Sequence, residues 1–217
     1  KSVVNIIYFY LLLATRLTMG GPNSEKVFNE IDGTLLFEKL CQVILNSFYG
    51  ERSNSILFGT SAKGFGFESK VQQLIRDLKE GGIYKNRNPH TPKAQDDNLD
   101  VVAWKGFSDF RGSQLIGFAQ CKTGNTWRDD LGQLSPDKFI NSWFSDNTSI
   151  MPTSIFMVAD IVRHDHYTTF MQKLFFDRCR LMDYLPEIVD SEIVSDIKSW
   201  LTGASLKYKF NLDFLLN

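Results

Sequence analysis

The chain has 217 residues, 43% of them apolar and 23% charged, with 15 Gly and 6 Pro, which excludes collagen-like, low-complexity and wholly disordered chains. Its 24 Lys and Arg nearly balance 25 Asp and Glu, so no global positive field would draw in a polyanion, and any nucleic-acid site must be local. Cys41, Cys121 and Cys179 show no paired spacing and no C-x-x-C, which gives no disulfide framework and fits a reducing cytosol.

The first residue is Lys1, which reads as the interior of a longer product. Val3 to Ala14 is apolar apart from Asn5, too short to span a bilayer and followed by Arg16 without a cleavage site, so it is expected to form a buried helix with neighbours on every side. Gly20-Gly21-Pro22-Asn23-Ser24 is a break, with Ser24 a candidate N-cap for a helix from Glu25 that Asp32-Gly33-Thr34 interrupts. Leu35, Leu36, Leu40, Val43, Ile44 and Phe48 recur at helical spacing and predict an amphipathic helix ending near Tyr49-Gly50, with Glu38 inside it. A short strand or loop at Ile56 to Phe58 and a helix over 67–79 follow.

Residues 84–100 form a polar connection in which Lys85, Arg87, His90 and Lys93 give way to Asp96, Asp97 and Asp100. The β-like runs LDVVAW (99–104) and QLIGFAQCK (114–122), separated by GFSDFRGS, predict a hairpin. Further on come a helix over 137–144, a buried strand over 153–162, a helix over 166–173, a strand over 174–181 and a tail helix over 191–201 capped by Gly203. A single domain over 1–217 is expected.

A hairpin turn centred near Arg111 would set Asp100 opposite Lys122 and place Asp100, Gln120 and Lys122 on one face, with Ala119 and Cys121 on the other. The Asp carboxylate and the Gln carbonyl are hard oxygen donors suited to Mg²⁺, with Lys122 beside them to orient a water or stabilise a phosphorane. An ordinary solvated cross-strand pair would use the same residues, but QLIGFAQCK is otherwise apolar, and polar groups at the end of such a strand need a reason.

Together, Glu38 on a helix, Asp100 opening a strand, the triplet Gln120-Cys121-Lys122 on the next, and a helix and buried strand beyond resemble the PD-(D/E)xK nuclease superfamily. The triplet, extended as QCKTGNTW, is similar to the Q-x-K variant of Mrr-like restriction endonucleases. The resemblance implies an α/β fold with a restriction-endonuclease-like αβββαβ core over about 34–182, a mixed sheet flanked by helices, and helical extensions at 1–33 and 183–217. It also implies Mg²⁺- or Mn²⁺-dependent DNA cleavage, with Asp100 and Gln120 as metal ligands, Lys122 as the catalytic lysine and Glu38 as a metal-side acid. Lys85, Arg87, Lys93, Thr123, Asn125, Trp127 and Arg128 would contact DNA. A cytoplasmic restriction or antiphage effector follows from the family, working as a homo-oligomer, with a regulatory or motor partner or a missing domain, and without a membrane. No Pro precedes Asp100, and the Gln in place of an acid leaves a second reading open, a noncatalytic module of the same fold that binds nucleic acid or a partner protein.

His164-Asp165-His166 is too sparse for zinc, Gly64-Phe65-Gly66 is no complete phosphate loop, and no Ser or Cys has an identifiable His partner. Trp104, Trp143 and Trp200 are expected in the core, and Cys121 is expected to be inert.

Overall fold

The computed structural model of the protein describes residues 2–21, 23–59, 66–87, 97–163 and 173–212. In chain order its elements are α1 (Val3–Ala14), β1 (Val27–Phe28), β2 (Ile31–Asp32), α2 (Gly33–Tyr49), β3 (Ser53–Leu57), α3 (Phe67–Leu78), β4 (Val101–Lys105), β5 (Leu115–Lys122), a 3₁₀ turn (Trp127–Asp130), α4 (Pro136–Trp143), β6 (Thr153–Val158), β7 (Leu174–Phe176), α5 (Arg178–Asp183) and α6 (Ser191–Tyr208). Among the described residues, five strands form the central sheet in the order β3-β4-β5-β6-β7. The first two pairings are antiparallel and the last two parallel. The chain is thus α/β with a mixed sheet flanked by helices.

Strand alternation splits the core in two. Val101, Ala103, Ala119, Ile155 and Met157 face α1, α2 and α6, while Val102, Trp104, Ile116 and Phe118 face α3 and α4. Trp104, Trp143 and Trp200 are all buried, as expected.

The expected helix from Glu25 is instead the β1–β2 hairpin. Asn29 and Glu30 turn it with φ of 47° and 65°, the left-handed pair that a tight two-residue hairpin loop requires. Asp32 does not interrupt a helix but starts one, accepting hydrogen bonds from Thr34 N at 2.8 Å and Leu35 N at 3.4 Å. Burial works against ionising this carboxyl, but hydrogen bonds from Lys26 and Thr34 outweigh it and hold the group below the usual carboxylate range.

The N-terminal helix turns Ile6, Ile7, Tyr10, Leu11 and Ala14 inward against α5 and α6, and leaves Val3, Val4 and Tyr8 exposed. It therefore has neighbours on one face rather than all round. Among the described residues, no helix is long and apolar enough to cross a membrane. At the centre of this layer Trp200 donates to Lys26 O at 2.8 Å and packs edge-on against Tyr10 and Phe28.

More boundaries differ from expectation: the strand expected over 153–162 stops at Val158, and the one expected at Ile56 to Phe58 starts at Ser53. The strand over 174–181 stops at Phe176, because Asp177 accepts from Arg180 N and opens α5. The tail helix runs past Gly203 to Tyr208, since Gly203 is a point of close approach and not a cap: a Cβ there would lie 2.8 Å from Phe28 Cβ. The expected helix over 166–173 falls, apart from Lys173, outside the described residues, as do His164-Asp165-His166, Gly64 and Phe65.

Gly117, in the middle of β5, is another close approach, where a Cβ would overlap Tyr49 Oη and Ile155 Cδ1. Burial pushes the Tyr49 hydroxyl up to about 12, so it stays neutral against this backbone. Gly117→Val should therefore lower the unfolding free energy by about 1–3 kcal/mol in urea titration.

Candidate active-site cleft

A cleft of about 560 Å³ opens at the carboxyl end of β5, the end of the sheet where open α/β folds usually take ligands. Glu38, Asp100, Cys121, Lys122 and Asp130 line its floor, and Thr15–Gly21 and Thr123–Thr126 make its walls.

The hairpin register differs from the expected one by two residues. Val101 pairs with Ala119 and Lys105 with Leu115, which centres the turn on Phe110 instead of Arg111. A shift of two keeps strand side chains on their faces and moves their partners, but Asp100 lies just before β4 and its side chain turns toward Glu38, away from Gln120. Asp100 therefore does not sit opposite Lys122. Its N–H donates to Ala119 O at 3.0 Å, one residue out of step with the register that pairs Val101 with Ala119, and its Oδ2 accepts from Cys121 N at 2.7 Å.

The other carboxylate oxygen approaches Glu38. A Cβ built on Gly59 would lie 3.1 Å from Asp100 Oδ1 and 3.2 Å from Glu38 Oε2, so the two oxygens flank a space that exists because residue 59 has no side chain. Glu38 reaches this point from α2 and is 8% exposed. Lys70 Nζ, donating to Phe58 O and Gly59 O at 2.9 and 3.3 Å, fixes the segment.

Gln120 does not join this pair. It is fully buried and absent from the cleft lining, its Nε2 donates to Gln133 Oε1 at 3.0 Å, and its Oε1 finds no hydrogen-bond partner among the described residues. The expected convergence of Asp100, Gln120 and Lys122 is thus replaced by Asp100 with Glu38 on one side, and Gln120 with Lys122 around Gln133 on the other. Lys122 Nζ pairs with Asp130 Oδ2 at 3.3 Å and lies 3.5 Å from Gln133 Oε1, while Gln133 Nε2 donates to Asp130 Oδ1.

The expected nucleic-acid contacts scatter. Thr123 and Asn125 line the cleft, next to Gly124, whose N–H donates to Ala14 O at 2.8 Å. Trp127 is no stacking surface: it is 1% exposed, packs against Phe156 and Phe175, and donates to Asp160 Oδ2. Arg128 is exposed, with its guanidinium 4.2 Å above the Trp127 ring. Lys85 and Arg87 lie outside the cleft. Both bind α4 through backbone bonds to Trp143 and Ser142, and the Arg87 guanidinium holds Phe144 O and Ser145 O. Lys93 is outside the described residues, as is Asp96.

Arg16, Gly59, Asp130 and Gln133 are the site residues that sequence reasoning missed. Arg16 followed the apolar helix and was readable as its end, whereas nothing in the local pattern marks Gly59 or Asp130, which are brought in by the sheet and the 3₁₀ turn.

Chemically, the cleft offers two neighbouring carboxylates, hard donors of the kind that hold Mg²⁺ with water and phosphate completing its shell. Among the described residues, no group of three or more His, Cys, Asp and Glu is placed to hold a metal ion. Cations Arg16 and Lys122 face carboxylates Glu38, Asp100 and Asp130, so the lining is net negative and would repel a phosphodiester without an added cation. Cys121 has some exposed surface, but its sulfur lies against Cys41. Burial, the Cys41 contact and the Asp100 and Glu38 charges push its thiol well above the usual value, and burial raises Cys41. A thiol held protonated is a poor nucleophile.

Compared with protein-family models, curated protein sequences and solved structures, the chain gives no match.

Gly59→Ala would put a methyl between the two carboxylates and should weaken Mn²⁺ binding on the order of 10-fold in calorimetric titration, with the far-UV spectrum unchanged. In native protein at pH 8, an aromatic disulfide reagent should label exposed Cys179 first, and Cys41 and Cys121 only as the chain unfolds.

Proposed function

We propose that the protein is a metal-dependent DNA endonuclease of the PD-(D/E)xK kind, in its Q-x-K form, hydrolysing phosphodiester bonds. One observation carries this reading: Glu38, Asp100 and Lys122 share a cleft although they come from three separate elements. The frame supports it, because α2, β3, β4, β5, α4 and β6 follow the order helix, three antiparallel strands, helix, parallel strand, with α3 inserted after the first strand.

Asp100 and Glu38 would hold Mg²⁺, and the ion would polarise the phosphate and acidify a bound water. Asp100 can do this with one oxygen while the other stays on Cys121 N. Lys122 supplies a positive charge for the oxygen on which charge develops, held in place by Asp130 and Gln133. Thr123, Asn125 and Arg16 offer donors for phosphates on either side of the cleft. The setting that the resemblance suggests is restriction or antiphage defence.

The position of Gln120 favours a second reading, a noncatalytic module, because a buried Gln turned toward Gln133 leaves the cleft with one carboxylate fewer than the family's acidic triplet provides. Cleavage of plasmid and linear DNA in Mg²⁺, Mn²⁺ or EDTA separates the two. The nuclease should cut only with metal, and Asp100→Ala and Lys122→Ala should each lose about 100-fold or more in rate while melting as cooperatively as wild type. DNA left intact by a protein that does bind Mn²⁺ would make the chain a binding module.

A further inference from the structure

At the other end of the β4–β5 hairpin, on the α3 side of the sheet, lies a second concavity of about 540 Å³. Its rim carries Phe107 and Phe110, which are 58% and 79% exposed, above the buried edge of Trp104. Arg52 and Lys79 lie on the opposite rim, and among the described residues neither makes an ion pair. Asp77 is the acid in the lining, with its Oδ1 accepting from Gln73. The nearby Glu80 is taken up by the backbone N–H groups of Ser113, Gln114 and Ser149. The groove lining is therefore net positive on a chain whose formal charge is -1, and opposite in sign to the cleft.

The aromatic tip is held in place. Gly106 N donates to Arg52 O at 3.3 Å, Phe110 N to Phe107 O at 3.2 Å, and Gln114 Nε2 to Leu78 O at 2.6 Å. Arg52, Lys79 and Phe110 all occupy the left-handed region, with φ of 63°, 59° and 55°, a conformation that bulky residues adopt rarely. Two large rings stay in water on a pinned loop, with cations across from them that make no ion pair among the described residues.

We propose that this groove binds single-stranded nucleic acid, with bases stacked on Phe107 and Phe110 and phosphates against Arg52 and Lys79. Stacking suits any base, but it needs a base face that a duplex hides. The partner class rests on the hydrolase reading of the cleft; the groove's shape and charge do not. Five residues of β4 separate the tip from Asp100, about 17 Å of strand, so a bound strand would sit at a fixed distance from the carboxylates.

The test is fluorescence anisotropy of a labelled 16-nucleotide oligo(dT) with the full chain in EDTA, where no metal-dependent cutting occurs. The oligonucleotide should bind, and a duplex of the same length should bind more weakly. The double variant Phe107→Ala, Phe110→Ala should weaken oligo(dT) binding about 10-fold or more. Arg52→Ala with Lys79→Ala should flatten the logarithmic salt dependence by roughly 1.4. No binding, preference for the duplex, or indifference to the Phe substitutions would each overturn the proposal. So would light scattering that shows a concentration-dependent dimer lost in the Phe variant without oligo(dT) binding, because the groove would then hold a second copy. Binding retained in a protein that never cuts DNA would remove the hydrolase reading and leave the groove standing.

Discussion

One hydrogen bond, from Cys121 N to Asp100 Oδ2, decides the geometry of the cleft. At the end of the backbone ladder between β4 and β5, Asp100 N donates to Ala119 O, and there the side chain replaces the main chain as acceptor. An amide at the end of a strand gains a charged acceptor, and the carboxylate gains a fixed direction. Its second oxygen is thereby committed to the space beside Glu38 and Gly59. Neighbouring like charges raise each other's energy, so the pair favours a cation or a shared proton between its oxygens. The structural and chemical duties of Asp100 are divided between its two oxygens.

The flanking N-terminal segment belongs to the same construction. Arg178, 4% exposed, donates to Ala159 O at the end of β6 and to Thr15 Oγ1 after α1, and its guanidinium lies 5.6 Å from the Tyr8 ring. With Gly124 N on Ala14 O, this fastens α1 to the carboxyl end of the sheet. The helix expected to be buried on every side thus anchors the segment Thr15–Gly21 that walls the cleft, and its exposed face is what remains after α5 and α6 cover the other.

Much of the frame was legible because local chemistry specified it. The amphipathic spacing of α2 and α3, the hairpin runs and the buried strand β6 all follow from periodicity, and Glu38, Asp100 and Lys122 were found by residue type and order. What was hidden depended on numbers of residues or on distant partners. One residue in the position of the turn changed which side chains oppose each other, and Asp32 could be read as a break or as a cap until the β1–β2 hairpin showed which. Gln120 looked like a ligand because the expected register set it on one face with Asp100 and Lys122, yet Gln133, thirteen residues later, takes its amide. Trp127 looked like a loop residue until Phe156 and Phe175 enclosed it.

The fastening of α1 also sets an order of assembly. Tyr10 reaches its packing partner Trp200 across nearly the whole chain, and Gly33 O accepts its hydroxyl at 2.5 Å. The strands that carry Asp100 and Lys122 can pair once residue 122 has been made, and Gly124 N can then hold Ala14 O, whereas the bonds from Arg178 and the packing on Trp200 come last. In a growing polypeptide the carboxylates and the lysine can therefore come together before α1, beside them, has all of its partners.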